Sequence, residues 1–147
     1  MAGLNLTVVS PERELYAGEV DMVLAPAVGG QVGILPNHAT MMTQLTSGEL
    51  CVRVGSEEYF FAIHGGFMHV LPDRVIVLAD AAERADEIDE ERALAARQRA
   101  MEMLNKTPPE ERRLTEVALR RSQVRLRVAK RRRRRRATPY PDGGSRE

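Results

Sequence analysis

The 147-residue chain carries 22 basic and 21 acidic side chains, a net charge of +1, and is long enough for one ordinary domain or a small domain with an appendage. Its one cysteine, Cys51, excludes an internal disulfide and a paired-cysteine metal site, and no run approaches the roughly 18–20 apolar residues that span a bilayer. Tryptophan is absent and aromatics make up 4%, too few for a platform that stacks nucleobases. Met1-Ala2-Gly3-Leu4 has neither the basic region nor the apolar core of a signal peptide, so the chain is expected in the cytosol or bound peripherally from the cytosolic side.

In chain order, Leu4, Leu6 and Val8 alternate with polar residues as a half-buried strand that stops at Ser10-Pro11. Residues 16–24 read as a second strand region ending at Ala25-Pro26, followed by a glycine-rich loop over residues 28–33 and a turn at Pro36. Then come residues 41–45 as a strand, a turn at Ser47-Gly48, and a strand over residues 50–54, in which Cys51 serves as a small side chain. Gly55-Ser56 turns the chain into residues 59–63, Gly65-Gly66 into residues 67–71, and Pro72-Asp73 into residues 74–79; the last two joints have hairpin chemistry. Short strands at this spacing indicate an all-β sandwich or barrel.

His38, His64 and His69, with Asp21, Asp73 and Asp80, are the candidates for catalysis in this half. They form no H-x-x-x-H or H-x-H metal pattern, and no G-x-S-x-G elbow, P-loop or Rossmann fingerprint is present. The histidines therefore read as structural or interface residues. No catalytic residue and no metal site is expected, and the chain is not expected to be an enzyme.

The pattern changes over residues 85–93. Residues 1–84 carry 4 basic and 10 acidic side chains, net −6, whereas residues 85–147 carry 18 and 11, net +7. Helical spacing replaces alternation at the same place. Asp89 caps a first helix whose body runs over residues 92–104, with Ala93, Ala96, Ala100 and Met103 on one face. Thr107-Pro108-Pro109-Glu110 has the form of a capping box with proline at the first helical position. A second helix follows over residues 109–129, with Leu114, Val117, Val124 and Val128 on one side. The fold class is α+β in two domains: an N-terminal antiparallel β-sandwich (residues 1–84), a C-terminal antiparallel two-helix hairpin (85–130) and a disordered basic tail (131–147).

Arg92 and Arg99 on the first helix, with Arg121 and Arg125 on the second, bring four guanidiniums to a position where they converge on a polyphosphate. The other reading of the same pattern is solvated helix faces with glutamate partners, as in Glu116 and Arg120 at i,i+4. Lys130 and the six arginines of residues 131–136 repel one another and bind polyanions with little specificity.

Six stretches in order carry a likeness. They are Leu6-Thr7-Val8-Val9-Ser10-Pro11-Glu12-Arg13, Gly33-Ile34-Leu35-Pro36-Asn37-His38-Ala39, Gly65-Gly66-Phe67, Val75-Ile76-Val77-Leu78-Ala79-Asp80, Ala82-Glu83-Arg84 and Ile88-Asp89-Glu90-Glu91-Arg92-Ala93. Together they resemble the epsilon subunit of bacterial F-type ATP synthases over about residues 3–130. The resemblance implies a non-catalytic rotor subunit of a proton-transporting complex, bound peripherally at the cytoplasmic face of the bacterial cell membrane through that complex. Its implied partners are the gamma subunit, the c-ring and, in an extended inhibitory state, the alpha/beta hexamer; no nucleic acid is expected. Gly30, Gln31 and Val32 match the loop that approaches the c-ring, with Gln31 where many relatives have an acid, and His38 lies near the gamma interface.

By the same resemblance the helices are a regulatory element, folded down on the sandwich or raised to block ATP hydrolysis. Arg120, Arg121, Arg125 and Arg127 would meet acidic surface on beta in the raised state. No cofactor is required, but ATP is implied as a regulatory ligand of the folded-down state. Ile88, Asp89, Arg92 and Ala93 match the nucleotide motif, and Arg99, Arg121 and Arg125 the phosphate-facing arginines. Glu83 and Asp89 would bond the adenosine, with Ile88 and Ala93 as apolar walls. The competing expectation is a β-scaffold binding protein whose polybasic tail engages nucleic acid or anionic lipid.

Overall fold

The computed structural model describes residues 3–134, with side chains to Arg131. Eight strands precede two helices: β1 (Leu4–Val9), β2 (Glu14–Val20), β3 (Met22–Ala27), β4 (Gly30–Ile34), β5 (Met41–Val54), β6 (Glu57–Leu71), β7 (Arg74–Ala79), β8 (Ala82–Arg84), α1 (Glu90–Lys106) and α2 (Arg113–Arg134). The strands run in the order β2-β1-β7-β6-β5-β3-β4, with β8 beside β6. All pairings are antiparallel except β1 with β7. β2, at one end of this path, packs across on β5 and β8, closing a sandwich. Leu4, Leu6, Val8, Val75 and Val77 alternate inward from β1 and β7, and meet Leu50, Val52, Phe61 and Ile63 in one core. Tyr16 lies in this core, 6.1 Å edge-on to Phe61 and 6.0 Å from Tyr59, and burial pushes its hydroxyl up to about 12. Cys51 is buried too, and burial beside Glu58 pushes its thiol up to about 12, which leaves it unreactive.

Two predicted turns are absent. Ser47-Gly48 lies within β5, a continuous strand of 14 residues, and Gly65-Gly66 lies within β6, a continuous strand of 15. These glycines bend strands instead of ending them. At Gly65 and Gly66 φ is +83° and +123°, and β6 there changes its neighbour on one side from β8 to β7. A Cβ on Gly66 would strike the backbone of Leu78 and Ala79. Gly48 allows β5 to approach Pro26 at the irregularity in the β3–β5 ladder, where a Cβ would lie 2.5 Å from the Pro26 ring. The region expected as one strand over residues 16–24 is two, broken at Asp21. The expected glycine-rich loop is mostly strand β4, joined to β3 by a tight turn at Val28-Gly29.

Asp89 caps α1 as expected, its Oδ1 accepting from the Arg92 N–H at 3.1 Å. The capping box at Thr107 does not form, because the Thr107 hydroxyl donates back to the Met103 carbonyl at 2.6 Å. A 3₁₀ turn (Pro109–Glu111) fills the connection, and α2 starts at Arg113 and continues into the basic run as far as Arg134. The two helices pack on each other, with Ala93 and Ala100 buried. Met103, Leu114 and Val117, expected on the packed faces, are 56%, 83% and 44% exposed. The tail over residues 135–147, expected to be disordered, lies outside the described residues.

The hairpin is folded against the sandwich. α2 lies on the outer face of β5 and β6, where Val124, Val128 and Ala129 join Ala62, Ala85, Ile88 and Phe60 in a second, smaller core. Ala62 and Phe60 point outward because Phe61 and Ile63, their neighbours along β6, point inward.

Candidate functional site

The joint between sandwich and hairpin is a 3₁₀ turn (Ala85–Glu87) held by charge. Arg13, in the β1–β2 connection, donates through two nitrogens to the Glu87 carboxylate at 2.7 and 2.5 Å. Glu87 also accepts from the Arg84 N–H at 3.1 Å, and Arg84 Nε donates to Asp86 at 3.2 Å. The hydrogen bond from Arg13 holds the Glu87 carboxyl below the usual range, and the same bond raises Arg13. Sequence spacing gives no hint of this pair, whose members stand 74 residues apart.

Beyond the joint, α2 faces a cleft of about 460 Å³ lined by His64, Glu83, Ala96, Leu114, Val117, Ala118, Arg121, Ser122 and Arg125. Arg125 grips Glu83 with both arms, Nε to Oε1 at 2.6 Å and a terminal nitrogen to Oε2 at 3.1 Å. His64, buried on β6, shares a hydrogen bond with the Ser47 hydroxyl at 3.1 Å. Burial first, then Arg121 and Arg125, lower its ring to about 4, so it is neutral at ordinary pH. Ala96, Leu114, Val117, Ala118 and Ser122 are the cleft residues that sequence reasoning did not single out for a site, and His64 is one of the histidines it read as structural or interface residues.

The residues expected to hold a nucleotide are only partly brought together. Glu83, Arg121 and Arg125 share this cleft. Ala93 is fully buried, and Ile88 is packed into the second core. The Asp89 carboxylate is spent on the helix cap, and Arg92 and Arg99 are exposed and outside the lining. Glu83 already neutralises Arg125, so an incoming phosphate competes with a carboxylate for that guanidinium.

Two further arginines on α2 clasp the sandwich. Arg120 Nε donates to the Ser47 carbonyl at 3.3 Å; it makes no ion pair with Glu116. Arg131 bonds both oxygens of Glu49, at 2.9 and 3.0 Å, and lies over the Phe60 ring 5.2 Å from its centre. Arg127 is exposed and lines a hollow beside Gly30, Gln31 and Glu49. The side chains of residues 132–136, expected to bind polyanions, lie outside the described residues.

On the sandwich, the expected interface residues sit at opposite ends of β4. Gly30, Gln31 and Val32 begin the strand, beside the β3–β4 turn with its exposed Val28. His38 lies past its end, where Asn37 donates to the Pro72 carbonyl. On the layer that α2 leaves uncovered, Phe67 on β6 pairs across to Leu78 on β7, and both are half exposed, with Met42 on β5 66% exposed. Among the described residues no helix is long and apolar enough to cross a membrane, and no three His, Cys, Asp or Glu side chains are grouped to hold a metal.

Family models match both parts of the chain: the beta-sandwich domain of the ATP synthase Delta/Epsilon chain over residues 3–85, and its long alpha-helix domain over residues 86–130. The chain belongs to the ATP synthase epsilon family. The ATP synthase epsilon chain of Dehalococcoides mccartyi is 50% identical over 135 residues, covering 90% of this chain and 96% of that one. That of Herpetosiphon aurantiacus is 51% identical over 133 residues, covering 90% and 98%. Among solved structures, a chain of the Euglena gracilis mitochondrial ATP synthase, in an assembly of OSCP, F1 and c-ring, superposes with a TM-score of 0.76 at 26% identity, covering 88% and 82%. A chain from the Tetrahymena thermophila mitochondrial central stalk and c-ring shares the fold, with a TM-score of 0.54 at 12% identity, covering 88% and 95%. As an epsilon chain it is a non-catalytic subunit of ATP synthase.

Proposed function

We propose that this epsilon chain is a rotor element of a bacterial, proton-translocating ATP synthase, sitting peripherally at the cytoplasmic face of the membrane. Its sandwich joins the gamma subunit to the c-ring, with the Met42, Phe67 and Leu78 face and His38 toward gamma and the turn before Gly30 toward the ring. Its helix hairpin alternates between the docked position and a raised one that blocks ATP hydrolysis at the alpha/beta hexamer, presenting Arg120, Arg121, Arg125 and Arg127 to acidic surface on beta. The observation that carries the reading is the make-up of the dock: a small apolar seam flanked by exchangeable arginine contacts, Arg120 to Ser47, Arg125 to Glu83 and Arg131 to Glu49. Such contacts can be traded for acidic partners elsewhere without exposing a large core. Deleting residues 88–147 from the reconstituted complex should raise ATP hydrolysis several-fold and leave assembly intact. Equal hydrolysis with and without the deletion would sink the inhibitory role.

ATP is the proposed ligand of the docked state, its phosphates drawing Arg125 away from Glu83 beside Arg121. The cost of breaking that pair weakens binding. Titration of the isolated chain should show ATP binding that Arg125→Ala and Arg121→Ala each weaken. Absence of binding at several millimolar removes the site.

A further inference from the structure

We propose that the opposite side of the hairpin holds a separate site for a short phosphate polyanion. The site is a cleft of about 410 Å³ between α1 and the last turns of α2, lined by Arg97, Gln123, Leu126, Arg127, Lys130 and Arg131. Gln123, Arg127 and Lys130 follow one another at four- and three-residue steps, a single stripe of α2. Arg121, Arg125 and Ala118 form the stripe that faces His64 and Glu83, so the two clefts lie on different flanks of the same helix.

The charges differ as well. In the first cleft Arg125 is neutralised by Glu83; here only Arg131 is, by Glu49. Arg97, Arg127 and Lys130 have no carboxylate within ion-pair distance among the described residues. Arg97 adds an independent sign. Its Nε is buried and finds no hydrogen-bond partner. A buried guanidinium N–H without an acceptor is costly, and an anion seated in the cleft supplies one. Three cations around a concavity of this size suit a multiply charged, compact acceptor, which can take several charge-assisted bonds at once.

The neighbouring hollow limits what fits. It shares Arg97, Leu126 and Lys130 with the cleft, but its other walls are Ile88, Asp89, Glu90, Glu91 and Leu94. Three acidic residues at that end repel a long phosphate chain. The ligand chemistry is therefore a di- or triphosphate group, free or at the end of a nucleotide. Because both walls belong to the hairpin, the site does not rest on the rotor reading, and docking adds to it only the tie from Arg131 to Glu49.

The test is calorimetric titration of the full chain with pyrophosphate, and in parallel with ATP, against sodium sulfate at equal ionic strength. Arg97→Gln and Lys130→Gln should each weaken pyrophosphate binding about tenfold, with Arg125→Gln changing it less than about threefold. Lys130 is exposed, so its variant tests the site even if Arg97→Gln folds poorly; circular dichroism checks both. If Arg97→Gln and Lys130→Gln also weaken ATP, the group is carried by a nucleotide; if they leave ATP unchanged, it is a free polyphosphate. No pyrophosphate binding, sulfate binding as tight as pyrophosphate, or loss in Arg125→Gln with Lys130→Gln silent would each overturn the proposal.

Discussion

Twenty buried side chains, running from Leu4 to Ala79, close the core of the sandwich; six close the seam between sandwich and hairpin, three of them alanines. Buried apolar area is the main source of folding free energy, so the first region is committed and the second is conditional. Polar contacts follow the same division. The sandwich is knit by backbone ladders, while the hairpin is tied down by side chains: Arg125 to Glu83, Arg131 to Glu49, and Arg120 to the Ser47 carbonyl. A unit that turns with a shaft needs the first kind of bonding, and a unit that changes position needs the second.

Breaking the committed region should have the largest effect. Phe61→Ala empties the centre of the sandwich beside Tyr16 and should cost about 3–5 kcal/mol, read as a lowered midpoint for the whole chain in urea. Val128→Ala trims the seam instead and should cost about 2 kcal/mol or less. Its effect should be local: amide exchange in α2 speeds up while exchange in β1 and β7 stays as it was. Equal acceleration in both regions would show that seam and sandwich are one cooperative unit, contrary to the division drawn above.

Acid should sharpen the same distinction. His64 lies under α2, with its ring lowered from 6.5 to about 4 by burial, Arg121 and Arg125. The folded form stays neutral where the free imidazole takes up a proton, so the stability it lends is complete above pH 6.5. It falls away as pH drops through about 4. The hairpin, not the sandwich, should therefore loosen first between pH 6.5 and 4, followed by tryptic cleavage in α2. In His64→Gln that window should flatten; an unchanged pH profile would remove His64 as the cause.

Much of this architecture was readable from local signals. Asp89 as a cap, the alternation in β1, the turn at Pro72-Asp73 before β7, and the helix pattern after Glu90 depend on neighbours a few residues away. The ordered motifs tied them to a family. Ser47-Gly48 and Gly65-Gly66 were misread because small residues mark both turns and bends. Only the partner strand decides which, as at Gly66 against Leu78. The candidate sites were least legible. Glu83 meets Arg125 across 42 residues and Glu49 meets Arg131 across 82, beyond any spacing rule. Arg92 and Arg99 share a helix face as their spacing implies, yet a shared face does not specify what it faces.

The smallest expected effect concerns the joint itself. Arg13 and Glu87 make a bidentate pair, but their side chains are 44% and 28% exposed, so water and salt screen much of the attraction. Glu87→Gln should cost about 0.5–1 kcal/mol of global stability. Its consequence for position should exceed that figure. The pair fixes the one turn that connects the two regions, and its loss frees the start of α1 without touching either core. The carboxyl of Glu87 is held low by Arg13, so the tie persists above the ordinary carboxylate pKa of 4.5 and is lost as pH falls through the still lower value in the fold. That window opens at the acid end of the one set by His64. Distance measurements between spin labels on β7 and α2 should broaden in Glu87→Gln at pH 7, where the wild type stays narrow. A narrow distribution in the variant would mean that the arginine clasps on α2 alone keep the hairpin down.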